Sequence, residues 1–221
     1  MITVHHLNNS RSQRVLWLLE ELGLPYDIQH YQRDAVTSLA PPELLQVHPL
    51  GKSPVITDGD AVVAETGAII EYLVDRAGGT LRPPPGTPEH QRYRYWLHFA
   101  EGSAMSPLLL SLVLGRIRKA GPLFVKPITR RVADAVLESF VRPNIQRQLV
   151  FMESELAQRP WFAGDAFSAA DVMMSFPLEV AAVRGGLDAR YPRLTEFLAR
   201  IHARPPYQVA LQRGGHYSIL R

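Results

Sequence analysis

Ser53-Pro54-Val55-Ile56-Thr57-Asp58-Gly59-Asp60-Ala61-Val62-Val63-Ala64-Glu65-Thr66-Gly67-Ala68-Ile69-Ile70 decides the fold of the first half of this chain. Two short apolar runs flank Asp58-Gly59-Asp60, and Asp-Gly between such runs is a strong hairpin signal. After Glu65-Thr66-Gly67 the spacing changes. Ile69, Ile70, Tyr72, Leu73 and Val74 recur with a helical period. Toward the N-terminus, Ile2 to Leu7 reads as a strand and Asn8-Asn9-Ser10-Arg11-Ser12 as a polar turn. From Gln13, Val15, Leu16, Leu18, Leu19 and Leu22 form one apolar helical face, which Gly23 and Pro25 end. Ser10 and Gln13 have capping-box spacing. Tyr26 to Tyr31 is a second strand, and strand, helix, strand predicts a parallel pair with a right-handed crossover. Pro41, Pro42 and Pro49 leave room only for a short helix, Glu43 to Val47. The order is βαβ, short helix, β-hairpin, closing helix: a thioredoxin-like α/β domain over residues 1–77.

Residues 78–88, rich in glycine and proline, cannot sustain a helix or a central strand and read as a linker. Beyond them strand signals nearly vanish, and residues 89–221 read as an all-α domain. Helical spacing runs from Glu89 to about Ser111, from Ile128 to Leu156 with a break at Pro143, from Val172 to Val183, and from Leu194 to His202. Ser168 and Asp171 have the spacing of a capping box, with Phe167 and Val172 as its hydrophobic staple. The expected role of that box is structural.

Composition narrows the function. Among 221 residues there is no cysteine. Disulfides, thiolate metal sites and catalysis by a protein thiol are therefore excluded. No apolar run approaches the ~18 residues of a membrane span, and the N-terminus lacks the pattern of a signal peptide, so no membrane partner is expected. His5, His6 and His98 lack metal-ligand spacing, so no metal is expected. Net charge is +3, with basic clusters at Arg116-Ile117-Arg118-Lys119 and Arg130-Arg131. Neither is a long run and neither has interleaved aromatics, which argues against nucleic acid. An anionic small molecule is the easier partner to defend.

Four segments resemble one family. Ser10-Arg11-Ser12-Gln13-Arg14-Val15-Leu16 resembles the active-site serine segment of cytosolic glutathione transferases. His48-Pro49-Leu50-Gly51-Lys52-Ser53-Pro54-Val55 resembles their Asn-Pro-x-Gly-Lys/Gln-x-Pro motif, which leads into a cis-proline. Glu65-Thr66-Gly67-Ala68-Ile69 resembles their Glu-Ser-x-Ala-Ile motif, and Phe167-Ser168-Ala169-Ala170-Asp171 their helical-domain capping box. The motifs stand in the family's order and spacing over nearly the whole chain. The first strand ends in His5-His6-Leu7 without tyrosine, and cysteine is absent, so the resemblance is to a bacterial, serine-type or atypical member.

The resemblance implies a cytoplasmic homodimer that uses glutathione as co-substrate and needs no metal. The thiolate of glutathione would attack small hydrophobic electrophiles, with peroxide reduction as a second activity. The alternative is a non-catalytic module of the same fold that binds glutathione or apolar ligands. A free thiol has a pKa near 8.5, so the site must favour the anion. The resemblance gives that task to Ser10 at a helix N-terminus, with Asn9 and Ser12 as rivals. It also places glutathione on Arg11, Lys52, Ser53, Pro54, Glu65 and Thr66. Lys52 would take the glycine carboxylate, the Ser53 backbone the cysteinyl backbone, Glu65 the glutamyl amine and Thr66 the glutamyl carboxylate. Met105, Leu109, Tyr207 and Tyr217 are the candidates for the second-substrate pocket. The tail from Arg213 to Arg221 either covers that pocket or lies elsewhere.

Overall fold

In the computed structural model, which describes residues 1–220, β1 (Ile2–Leu7) lies inside a four-stranded sheet of order β2-β1-β3-β4. Its apolar residues are buried, as an inner strand requires. It runs parallel to β2 (Tyr26–Tyr31), with Ile2 opposite Tyr26, and antiparallel to β3 (Val55–Asp58), with Val4 opposite Ile56. The expected hairpin joins β3 to β4 (Ala61–Ala64), with Asp58 opposite Ala61 and Gly59 at a positive φ of 59° in the turn. Helix α1 (Ser12–Leu22) crosses from β1 to β2. It stops at Gly23, whose left-handed conformation turns its N–H back to Glu20 and Leu19. The short α2 (Leu44–Val47) and the closing α3 (Thr66–Arg76) complete this half.

The capping box expected at Ser10 and Gln13 does not form. Helix α1 starts at Ser12, after Arg11, and the Ser10 hydroxyl accepts from the Ser12 N–H (3.2 Å). The Gln13 side chain is buried against α10, where a Cβ on Gly214 would stand 2.4 Å from its Oε1. A side chain at Gly214 would have to push the ends of the Gln13 and Leu16 side chains aside.

At the end of the glycine- and proline-rich segment, Thr87 caps α4 (Pro88–Phe99) by accepting from the His90 N–H (3.2 Å), with Pro88, expected as a linker residue, in the first turn. A π turn, Ala100–Ala104, leads directly into α5 (Met105–Ile117). The helical rod thus extends past Ser111, where its periodicity fades. Its most apolar 18-residue window reaches a mean hydropathy of 1.3, more than the sequence reading allowed. Trp96, Leu97, Ala100, Ala104, Met105 and Leu108 of this rod belong to the core, and α4 and α5 pack on α8.

Helix α6 (Lys126–Val136) passes through a second π turn, Leu137–Val141, into α7 (Arg142–Gln158). The expected break at Pro143 is this wide turn, which leaves the proline in the first turn of α7. Helix α8 (Ala169–Arg184) is the buried axis of the domain, and α9 (Pro192–His202) packs on it. Helix α10 (Pro205–Gly214) was not foreseen, because Pro205-Pro206 reads as a breaker, whereas prolines are tolerated in a first turn. It packs on α1 and joins the two halves. Arg204 pairs with Glu21 (2.5 Å) and Arg213 with Glu20 (2.9 Å).

The capping box at the start of α8 is present. The fully buried Asp171 carboxylate accepts from the Ser168 N–H (2.8 Å), the Ser168 hydroxyl (3.0 Å) and the Phe162 N–H (2.9 Å). The last bond ties the α7–α8 connection to the helix. Burial raises this carboxyl to about 6 against the pull of those donors. Asp171→Ala leaves two buried N–H groups without partners, at ~1–3 kcal/mol each, so a loss of about 3 kcal/mol is expected in urea unfolding. A loss below ~1 kcal/mol would show that the box does not anchor this helix.

Candidate active site

Three loop-to-helix or loop-to-strand junctions at one edge of the sheet meet the helical rod around a cavity of about 290 Å³. The β1–α1 turn contributes Arg11. The loop before β3 contributes Lys52, Ser53 and Pro54. The β4–α3 junction contributes Glu65 and Thr66, and the rod contributes Glu101 and Leu109. All the expected glutathione contacts except Ser10 therefore line one space.

Local structure explains why these groups are open. The Ser53 hydroxyl donates to the His5 carbonyl (2.8 Å) and accepts from the Leu7 N–H (3.3 Å), stitching the loop to β1. The Ser53–Pro54 peptide is cis, and the Ser53 backbone N–H and C=O have no partner among the described residues. An incoming peptide therefore finds a free donor and acceptor there. Glu65 holds a φ of 70°, a strained value for a residue with a side chain, of the kind that gathers at ligand sites. It precedes α3 without capping it, so the first N–H groups of that helix stay open as an anion site. Thr66 is buried in this first turn, and Lys52 forms no ion pair among the described residues.

The serines point elsewhere. Ser10 is 4% exposed and Ser12 fully buried. Their hydroxyls are 2.7 Å apart, and Ser12 Oγ lies 2.9 Å from His6 Nδ1. Ser12 Oγ also lies 3.4 Å from the Leu7 carbonyl, to which it can donate. The Ser10 hydroxyl bonds inward, to the Ser12 hydroxyl and N–H, and does not line the cavity. Ser10 and Ser12, expected to stabilise a thiolate, are thus both buried away from the cavity. Asn9 adopts a φ of 52°, and its side-chain carbonyl accepts from the Ser218 N–H (2.7 Å), so it anchors the C-terminal tail.

Arg11 faces the cavity instead. Its Nε donates to both oxygens of Glu101 (2.9 and 3.0 Å), and its guanidinium lies 5.3 Å from the Phe176 ring centre. Glu101 also pairs with the buried Arg14, whose Nη1 donates to the Met173 carbonyl (2.6 Å). Burial raises the Glu101 carboxyl, but Arg14 and Arg11 outweigh it and hold the pKa below the usual range. Sequence reasoning missed Glu101. Its signal was present: it is the sole acidic residue between Glu89 and Asp134. An isolated acid in an apolar helix needs a cation.

Of the four residues expected in a second-substrate pocket, only Leu109 lines the cavity. Met105 is packed in the core. Tyr207 and Tyr217 each donate to the buried Glu179 (2.7 Å), and Tyr207 packs on Trp17, so both tyrosines serve the interior behind α1. The tail through Ser218 runs from that pair to Asn9 and does not border the cavity. Arg221, its last residue, lies outside the described residues.

Known proteins place the chain in a family. Residues 1–75 match the family model "Glutathione S-transferase, N-terminal domain", and residues 113–200 match "Glutathione S-transferase, C-terminal domain". The chain is 35% identical to glutathione S-transferase 3 of Schizosaccharomyces pombe, over 96% of this chain and 88% of that one. A glutathione S-transferase structure from Actinobacillus pleuropneumoniae superposes with a TM-score of 0.80 at 32% identity, covering 100% of this chain and 96% of that one. A sphingomonad glutathione S-transferase complexed with glutathione superposes with a TM-score of 0.74 at 25% identity, covering 96% and 98%.

The burial of His6 supplies a test of its own. Burial, with the neighbouring His30 second, lowers the His6 pKa from 6.5 to about 4. Between those values the unfolded chain binds a proton that the folded one refuses, so stability falls as pH drops from 6.5 toward 4. His6→Asn is expected to flatten this slope in urea titrations at pH 5 and 7. A slope identical to the parent's would mean that His6 titrates normally.

Proposed function

We propose the chemistry from one premise: this chain belongs to the glutathione S-transferase family and is a transferase. Glutathione occupies the cavity at the sheet edge, and its sulfur attacks an electrophilic carbon held against the helical rod. The observation that carries this is the convergence of Lys52, the free Ser53 backbone, Glu65 and the open end of α3 on one space. Together they match the charge order of glutathione. Lys52 takes the glycine carboxylate, the Ser53 N–H and C=O pair with the cysteinyl unit, Glu65 takes the amine, and Thr66 with the α3 N-terminus takes the glutamyl carboxylate.

The sulfur then lies toward the start of α1. With Ser10 buried away from the cavity, the groups that favour a thiolate are the Arg11 guanidinium and the dipole of α1, both positive. Each unit of pKa lowering requires about 1.4 kcal/mol of preference for the anion, within the ~1.5–3 kcal/mol of a hydrogen bond to a charged group. Glu101 holds Arg11 in place from the other domain. The thiol proton leaves to solvent, the thiolate pair forms the S–C bond, and the leaving group departs with the electrons of the bond that breaks.

A homodimer is part of the same proposal. Val62 on β4 and Tyr95 and Leu110 on the rod are large apolar side chains exposed in the single chain, and light scattering is expected to give twice the mass of one chain.

Two experiments test the site. Lys52→Ala and Glu65→Ala are each expected to weaken calorimetric binding of glutathione by about ten-fold or more, the equivalent of one charged hydrogen bond. Unchanged affinity would remove the site. Arg11→Met is expected to raise the pKa of the bound thiol by about one unit, followed by thiolate ultraviolet absorbance, while Ser10→Ala leaves it in place. The opposite pattern would return the role to the serine.

A further inference from the structure

The glutathione site leaves unused a concentration of positive charge in the helical domain. Between α5, α6 and the end of α8 opens a cavity of about 600 Å³ whose lining includes Arg116, Arg118, Lys119, Arg130 and Arg184, and no carboxylate. A second cavity, of about 910 Å³, shares Arg118, Lys119 and Arg130 and continues along α6. Asp134 offsets Arg118 (2.8 Å) and Arg130 (3.8 Å). Arg116, Lys119 and Arg184 form no ion pair among the described residues.

This charge is joined to the glutathione cavity in two ways. Leu109, Val113 and Arg116 stand at i, i+4 and i+7 on α5 and share one face. Leu109 borders the glutathione cavity and Arg116 the basic one. The step between them is two helical turns, about 10 Å, and the exposed Val113 lies between. The second link is electrostatic. Arg184 on α8 and Arg33 after β2 have lowered pKa values, first from burial and then from the charges of Arg11 and Arg116. Arg33 donates only to carbonyls, of Asn8 (3.2 Å) and Ser38 (3.1 Å). Cations from four separate elements thus stand within each other's fields. Arg116 and Arg184 are exposed, but they line a concavity, lack ion-pair partners among the described residues, and meet an apolar strip that leads to the proposed sulfur position.

We infer that the preferred electrophile is an amphiphilic organic anion, with its apolar body on Leu109 and Val113 and its charged end between Arg116 and Arg184. This rests on the transferase reaction proposed above and replaces the plain hydrophobic acceptor. Arginine forks suit such a ligand, since they bind oxyanions in two-point fashion. For an aryl chloride the balance is simple. The thiolate pair forms the S–C bond, chloride leaves with the C–Cl pair, and the anionic end takes no part.

The test compares N-(4-chloro-3-nitrobenzoyl)glycine with its neutral glycinamide, together with the glutathione conjugate made from each. Both place the terminal group about 10 Å from the sulfur, two helical turns away. Calorimetry on the intact protein is expected to show the acid conjugate binding about ten-fold tighter than the amide at low salt, with the preference shrinking at high salt as screening grows. In Arg116→Met/Arg184→Met the acid-to-amide ratio is expected to fall close to one. The kcat/KM values for the two chlorides should follow the same ratio. The salt series in the parent protein stands independently of the variant. Equal affinities for both conjugates, with glutathione itself bound, would overturn the anionic acceptor and leave the glutathione site standing. Absence of binding by glutathione and both conjugates would overturn the site itself, and the acceptor with it.

Discussion

The burial of Arg14 is the constraint on which the remaining geometry depends. An arginine taken out of water costs several kcal/mol unless its donors are met. Here one donor reaches the Met173 carbonyl of α8 and another reaches Glu101 on the rod, while the buried Nε has no partner among the described residues. Arg14 belongs to the first domain and both its partners to the second, so satisfying its charge fixes how the domains meet. Glu101 then has a free side to offer Arg11, which immediately precedes α1. The cation beside the proposed sulfur is therefore oriented by a carboxylate from the opposite domain. Phe176, under both guanidiniums, completes the packing.

A second consequence concerns the β1–α1 turn. Ser10, Ser12 and His6 form a short buried chain of hydrogen-bonding groups that joins this turn to β1. Neither serine hydroxyl lines the cavity. What faces the cavity is mostly backbone and fixed charge: the open Ser53 peptide groups, the helix start after the strained Glu65, Lys52 and Arg11. Such a site needs little rearrangement to receive a zwitterionic peptide, since its dipoles are already set by the sheet and helices.

Much of the fold was legible because local periodicity and tertiary burial agree. Ile2–Leu7, Tyr26–Tyr31 and the hairpin around Gly59 follow the alternation and turn chemistry of their residues. The capping box at Asp171 is a local motif and forms where the spacing predicts it, although its third donor, Phe162, arrives from a connection nine residues away. Helix α10 was hidden because Pro205-Pro206 carries opposite meanings inside a helix and at its first turn, and only the end of α9 tells them apart. Lys52, Ser53, Pro54, Glu65 and Thr66 were readable as a set because they sit beside strand ends and helix starts, where backbone groups are open by rule.

By itself the sequence determined the order of elements, the absence of any thiol chemistry of the protein's own, and the residues that gather at the sheet edge. Each of these is a matter of residue type and short-range spacing. The direction in which the Ser10 hydroxyl points, the partner of Glu101, and the burial of Tyr207 and Tyr217 on Glu179 were decided by tertiary structure alone. The physical reason is range. A hydrogen bond or ion pair is specified by atoms a few ångströms apart, and here those atoms come from residues as far apart as 179 and 217, or 14 and 101. No local pattern encodes that distance, and only the packing of α1 against α8, α10 and the rod brings them together.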